Sequence, residues 1–340
     1  WGISSCSFIG GGLQNRIIDS LFSSIVGGTL NTASGACNFI GGGECNYISG
    51  STSNDQHIII VGGQCNKVIG NKSSIVGGIS NCITGSGNTD NAAGLSFIGN
   101  GQSNCISGQK SFNSIVGGLL NRIASTNNDD SQGCHFIGGG CGNIISGTTV
   151  GRSFIGGGCN NSTTAGFHVT IGGGVGNTVT QDIGSILGGS SNTVSCSGGS
   201  IGGGSSNTVS SLAGTIAGGN NNIINGACGF VGGGARNTAS TFGVVVGGTG
   251  STACACAVVV GGKNNDALGS NSVVVNGTGS CASGTYSSIV NGKGNTAVGN
   301  YTFIGNGYEN CANSSYTAVI TGFQNTASNA CYGTIINGNR

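Results

Sequence analysis

Short apolar segments alternate along the chain with glycine-rich breaks, and the breaks return about every fifteen residues. The cadence is plainest where Ser185-Ile186-Leu187-Gly188-Gly189-Ser190-Ser191-Asn192-Thr193-Val194-Ser195 is followed by Ser200-Ile201-Gly202-Gly203-Gly204-Ser205-Ser206-Asn207-Thr208-Val209-Ser210. The central Asn serves as a register mark. It falls at 15, 31, 46, 66, 81, 104, 121, 143, 161, 177, 192, 207, 222, 237, 265, 295, 310 and 325, with Ser251 and Ser280 substituting. Six residues before the mark stands an unbroken β-branched column from Ile9 and Ile25 to Ile335. Two residues after it stands a second apolar column that begins Ile17, Ala33, Ile48, lapses at Thr163, and is Ala throughout from Ala239 to Ala327. Four- to five-residue segments rich in Ile, Val, Thr and Ser between Gly clusters read as strands. A fixed period of this size marks a solenoid.

Three residues before the mark the residue is Gly in every unit, from Gly12 to Gly338, preceded by Gly, Asn or, once, Thr321. Gly and Asn tolerate positive φ, so each coil is expected to turn there. The shift to Ala in the second column predicts a narrower coil toward the C-terminus. The expected fold is therefore all-β, a parallel β-solenoid of about 21 rungs with a 15-residue repeat. It fills residues 1–340 as a single repeat domain, with loop insertions in 1–160 and regular repeats in 161–340.

A second pattern flanks the Ile column. Phe8, Phe39, Phe97, Phe136 and Phe154 are each followed two residues later by Gly, whereas Ser24, Ser74, Ser114 and Ser185 are followed by Val or Leu. Residues two apart share a strand face, so volume is balanced on the side opposite the Ile column, as in a packed interior. The first strand is then expected to be buried on both faces. A thin coil has one inside, so the outer face, with Phe8, Phe39, Phe97, Phe136, Phe154, Val244, Val258 and Val273, is a candidate oligomer interface. The alternative is apolar residues decorating a monomer's surface.

Composition narrows the function classes. Of 340 residues 73 are Gly, none is Pro or Met, and 6% are charged with a net charge of +1. That excludes a basic field for nucleic acid and an acidic face for cations. There is no run of about 18 apolar residues, so no membrane insertion is expected. A start at Trp1 without Met suggests a processed product or a fragment. Sixteen Cys point to an oxidising, extracellular setting.

The stretch Asn271-Ser272-Val273-Val274-Val275-Asn276-Gly277-Thr278-Gly279-Ser280-Cys281-Ala282-Ser283-Gly284 resembles the head repeat of YadA-like trimeric autotransporter adhesins, as do Ser288-Ile289-Val290-Asn291-Gly292 and Asn295-Thr296-Ala297-Val298-Gly299. The resemblance implies a left-handed β-roll, three chains side by side, and display on a cell or virion surface for adhesion. The unit here is usually fifteen residues where that family uses fourteen, and Cys is abundant. The alternative reading is a viral fibre, or a self-assembling extracellular filament subunit without a receptor, built on the same repeat. Self-association is the expected partnership, as a homotrimer with end-to-end stacking also open, and a cell-surface or matrix receptor is the further partner implied.

Insertions lengthen the early coils at Ser51–His57, Ser86–Leu95, Gln109–Asn113, Ser125–Cys134 and Thr148–Arg152. They leave the coil at one corner, where inserted loops often bind partners. The Gly runs lack the Lys-Ser/Thr of a phosphate loop. Asp129 and Asp130, and separately Asn54-Asp55, are candidate Ca²⁺ ligands without a spaced set. His57, His135 and His168 lie far apart with no metal or catalytic spacing. No nucleophile–base pair is evident, so neither enzyme activity nor a cofactor is expected. Three Cys pairs, Cys45 with Cys65, Cys82 with Cys105 and Cys141 with Cys159, share columns in consecutive rungs, within Cα reach of a disulfide. They are candidate staples within or between chains, or small apolar fillers. Finally, Thr178, Thr193, Thr208, Thr238 and Thr252 form one Thr column interrupted by Ile223, a weak sign of an ice-binding solenoid.

Overall fold

A computed structural model describes residues 6–50, 57–85, 95–108, 112–125, 134–147, 151–164, 166–328 and 331–339. The chain is a parallel β-solenoid of about twenty turns of roughly fifteen residues each, and among the described residues there is no helix. It divides into two compact units, residues 1–183 and 184–340. In the first unit, short strands from Phe8–Ile9 through Ser24–Ile25 and Phe39–Ile40 to Thr170–Ile171 stack in parallel register as a main ladder. A second ladder runs from Arg16–Ile18 to Thr178–Val179. In the second unit the main ladder runs from Ser185–Ile186 to Thr334–Asn339, and the second from Thr193–Val194 to Thr326–Ala327. Single-residue parallel bridges, such as Leu13 to Thr29 to Glu44, give each coil a third side.

Both apolar columns point inward. Ile25, Ile40, Ile60 and Ile75 of the main ladder and Ala33, Ile48 and Val68 of the second are fully buried, as are Ile186, Ile201, Val194 and Val209 in the second unit.

Two backbone features shape each coil. The Gly three residues before the mark has positive φ, for example +92° at Gly28 and +87° at Gly204. A Cβ at Gly204 would also overlap the Gly219 carbonyl oxygen of the next coil. Only Gly fits on both counts. The residue just before the mark is left-handed as well, and here the side chain is seldom Gly: Gln14, Leu30, Cys45, Ser80, Arg236 and Glu309 all have φ between 53° and 59°.

The mark itself is an internal amide ladder. Asn31 Nδ2 donates to Gly27 O of its own coil at 3.1 Å and to Gly43 O of the next at 3.0 Å. Its Oδ1 accepts the backbone N–H of Asn46 at 3.0 Å. Asn207 repeats this with Gly203 O, Gly219 O and Asn222 N. These side chains are fully buried, so the bonds answer a requirement that buried polar groups be paired. They also tie coil to coil with a bond that strand pairing does not supply.

Candidate functional site

The outward face of the main ladder carries the residues singled out as an interface. In the first unit Phe8, Phe39, Phe97 and Phe154 are 37–57% exposed, and Phe136 is half-buried with its ring stacked on Phe154 at 5.4 Å. Two residues further along the same face, Val26, Val61, Val76 and Val116 are 44–50% exposed. In the second unit Val244, Val258 and Val273 are half-buried beside the exposed Val246 and Val260. In the single chain each coil is one layer with one interior, so it covers the Ile side alone and leaves the outward face half-exposed. The volume pairing has a local cause. The Phe39 and Phe97 rings lie back over Gly41 and Gly99, with Cε1 3.4 Å from where a Cβ would sit. Phe fills a space that a Val would otherwise take.

The three Cys pairs are side by side on adjacent coils, and none of these six is joined in a disulfide. Cys82 and Cys105 are register partners in the second ladder, and Cys141 and Cys159 are bridge partners. Cys45 and Cys65 occupy the left-handed position before the mark. Cα reach alone led to the disulfide expectation. Parallel strands hold side chains abreast at about 4.8 Å, outside the 3.5–4.5 Å Cβ separation that a disulfide takes. Burial, then the neighbouring sulfur, raises Cys45 and Cys159 above the ordinary thiol range. Cys105 goes the other way and is pulled down to about 7, first by a hydrogen bond from the Cys82 thiol and also by Arg122. Cys82 is raised in exchange.

Other candidate residues stay apart. His135 is 1% exposed, one residue before Phe136–Ile137, and its Nδ1 accepts the Ser153 N–H at 3.3 Å. Burial holds its pKa down at about 4. His57 and His168 each hold a left-handed turn position. Asp129, Asp130, Asn54 and Asp55 lie outside the described residues, as do most of the insertions. No cluster of three metal-ligating side chains occurs among the described residues. In the second unit the Thr column gains a hydroxyl companion at Ser195, Ser210 and Ser240. Those hydroxyls are engaged, for example Ser210 Oγ with Ile224 O at 3.0 Å.

A feature the sequence reading missed lies at the turn before the main strand. Tyr286, Tyr301, Tyr316 and Tyr332 stack on successive coils with centroids 5.0–5.2 Å apart. All four are left-handed and outward-facing. Their fifteen- and sixteen-residue spacing was visible in the sequence, but the column lies outside the strands on which the repeat was aligned. No family model matches the chain, and no curated protein sequence matches it.

Proposed function

We propose that the chain is a non-catalytic structural protein of the adhesin-like fibre type, which associates side by side with copies of itself through the outward face of its main ladder. The observation that carries this is the apolar stripe on that face within each unit, with Phe39, Val61 and Val116 in the first and Val246 and Val260 in the second, each 37–50% exposed in the single chain. Contiguous apolar surface of that kind marks an association site. A flat β ladder favours burial against an equivalent ladder, and closed symmetry limits the number of copies. Three is the number the YadA-like resemblance implies, with display outside the cell. The free cysteines add no support to that location, which rests on the resemblance. A receptor surface would fall on the inserted corners of the first unit.

Native mass measurement tests the reading. A mass three times that of the chain is expected, and V246K with V260K together should yield monomers with an unchanged β circular-dichroism spectrum. A monomeric wild type removes the proposal. Ice binding is the weaker reading, because the Ser hydroxyls beside the Thr column are already bonded to the neighbouring coil; no thermal hysteresis is expected.

A further inference from the structure

Cys82 and Cys105 differ from the other thiol pairs in what flanks them. In the outward column of the second ladder Lys67, Cys82, Cys105 and Arg122 are consecutive register partners. Two sulfurs therefore sit between two cations, one coil away on either side. Cys141 and Cys159 have Leu119 and Val175 in the corresponding places, and Cys45 follows Glu44. Both Cys82 and Cys105 are half-exposed. Beside these strands lies an open groove lined by Thr84, Gly85, Ser107, Gly108 and Arg122, so the guanidinium borders space open to a small molecule, two residues along the strand from each half-exposed Cys. Lys67 also leans over the Tyr47 ring, 6.0 Å from its centroid. The lowered Cys105 agrees with this setting, since nearby cations and a donated hydrogen bond favour thiolate.

We propose that Cys82 and Cys105 form a thiol–disulfide exchange site for small anionic disulfides, with Cys105 the attacking sulfur. The Cys105 thiolate attacks one sulfur of R–S–S–R. A Cys105–S–S–R bond forms, the original bond breaks, and RS⁻ departs past Arg122. Cys82 gives its proton to water and attacks the Cys105 sulfur, expelling the second RS⁻. The protein dithiol loses two electrons, and the small disulfide becomes two thiols. The resulting Cys82–Cys105 bond joins parallel neighbours held wider than a disulfide takes, so it is easily reduced again.

The intact wild-type chain tests this without any substitution, because Cys141 and Cys159 serve as an internal control. Sub-stoichiometric dithiobis(nitrobenzoate), a dianionic aromatic disulfide, is added at neutral pH and labelled peptides are mapped by mass spectrometry. Cys105, as the mixed disulfide or bonded to Cys82, is expected to react about tenfold faster than Cys141 or Cys159. That advantage should shrink in high salt and with neutral dithiodipyridine. R122Q should slow the Cys105 reaction severalfold and leave Cys141 and Cys159 unchanged. Equal rates at the two pairs, or a Cys105 rate indifferent to salt and to R122Q, overturns the proposal.

Discussion

A mark Asn such as Asn207 bonds both its own coil and the next, and removing it leaves more than a gap. In N207A the Asn222 N–H loses its acceptor, and Gly203 O loses the side-chain donor it has now. Stranding buried groups costs roughly 1–3 kcal/mol each, so a loss of about 2–4 kcal/mol in the second unit is expected by denaturant titration. The glycines beside it separate two causes. Gly203 has open space around a Cβ and lacks positive φ, so G203A should be neutral or stabilise by up to about 1 kcal/mol. G204A, with positive φ and a carbonyl in the way, should unfold that coil. Ser280 offers the reverse experiment. Its buried hydroxyl has no partner, whereas Asn occupies the same place in most coils. S280N is expected to complete the ladder through Asn276 O, Gly292 O and Asn295 N. The gain should be about 1–2 kcal/mol, seen as a higher denaturation midpoint.

At the scale of the element, the tyrosine column and His135 carry separate predictions. Tyr301 stacks on both neighbours at 5.2 and 5.0 Å. Stacked aromatic pairs are worth about 0.5–1.5 kcal/mol each. Y301A should therefore cost about 1–3 kcal/mol by denaturant titration, while Y301F, which keeps the stack, should cost little. His135 is held neutral, with a pKa of about 4 against an ordinary value near 6.5. The unfolded chain binds the extra proton between those values, so stability is full above about pH 6.5 and is lost as pH falls toward 4. Below that both states are protonated and the loss stops. H135N, with the residue that Asn38 and Asn113 already supply in that column, should flatten this part of the stability curve.

The elements differ in how legible they were. Ile columns, Gly turns and the Asn mark could be read because each position accepts few residue types, for reasons of volume, φ or buried hydrogen bonding. The left-handed residue before the mark was invisible, since Gln14, Leu30, Cys45 and Arg236 all bear it. There the backbone is fixed by its neighbours and the exposed side chain is free to vary. The sequence also showed which Cys share a column, but chemistry between them depends on how parallel neighbours aim their Cβ atoms. The alternation of large and small residues on the outward face is explained within one strand, since the Phe39 and Phe97 rings fold over Gly41 and Gly99.

For the molecule as a whole, the near-identity of coils means that stability is a sum of coils and coil–coil contacts. Deleting Ser200–Gly214 removes one complete coil and brings Asn192 against Asn222 in the same phase. That variant should keep its β spectrum and still unfold cooperatively, with a smaller denaturant dependence. Deleting only Ser200–Ser206 takes the inward column out of phase and should abolish folding of the second unit. The same near-identity bears on self-association: the V246K and V260K changes sit outside every intra-coil bond, so they probe contact between copies alone.

Coil length differs between the units. Consecutive marks are 20, 23 and 22 residues apart at Asn46–Asn66, Asn81–Asn104 and Asn121–Asn143, but 15 apart at Asn192–Asn207–Asn222–Asn237. Neighbours so near in sequence find each other quickly, yet equal lengths give a growing stack no means of counting. A coil skipped between Asn192 and Asn237 would meet almost the same surface, making a slipped state a nearly degenerate kinetic trap. The long coils of the first unit, each of a different length, mark their own junctions and limit such slippage.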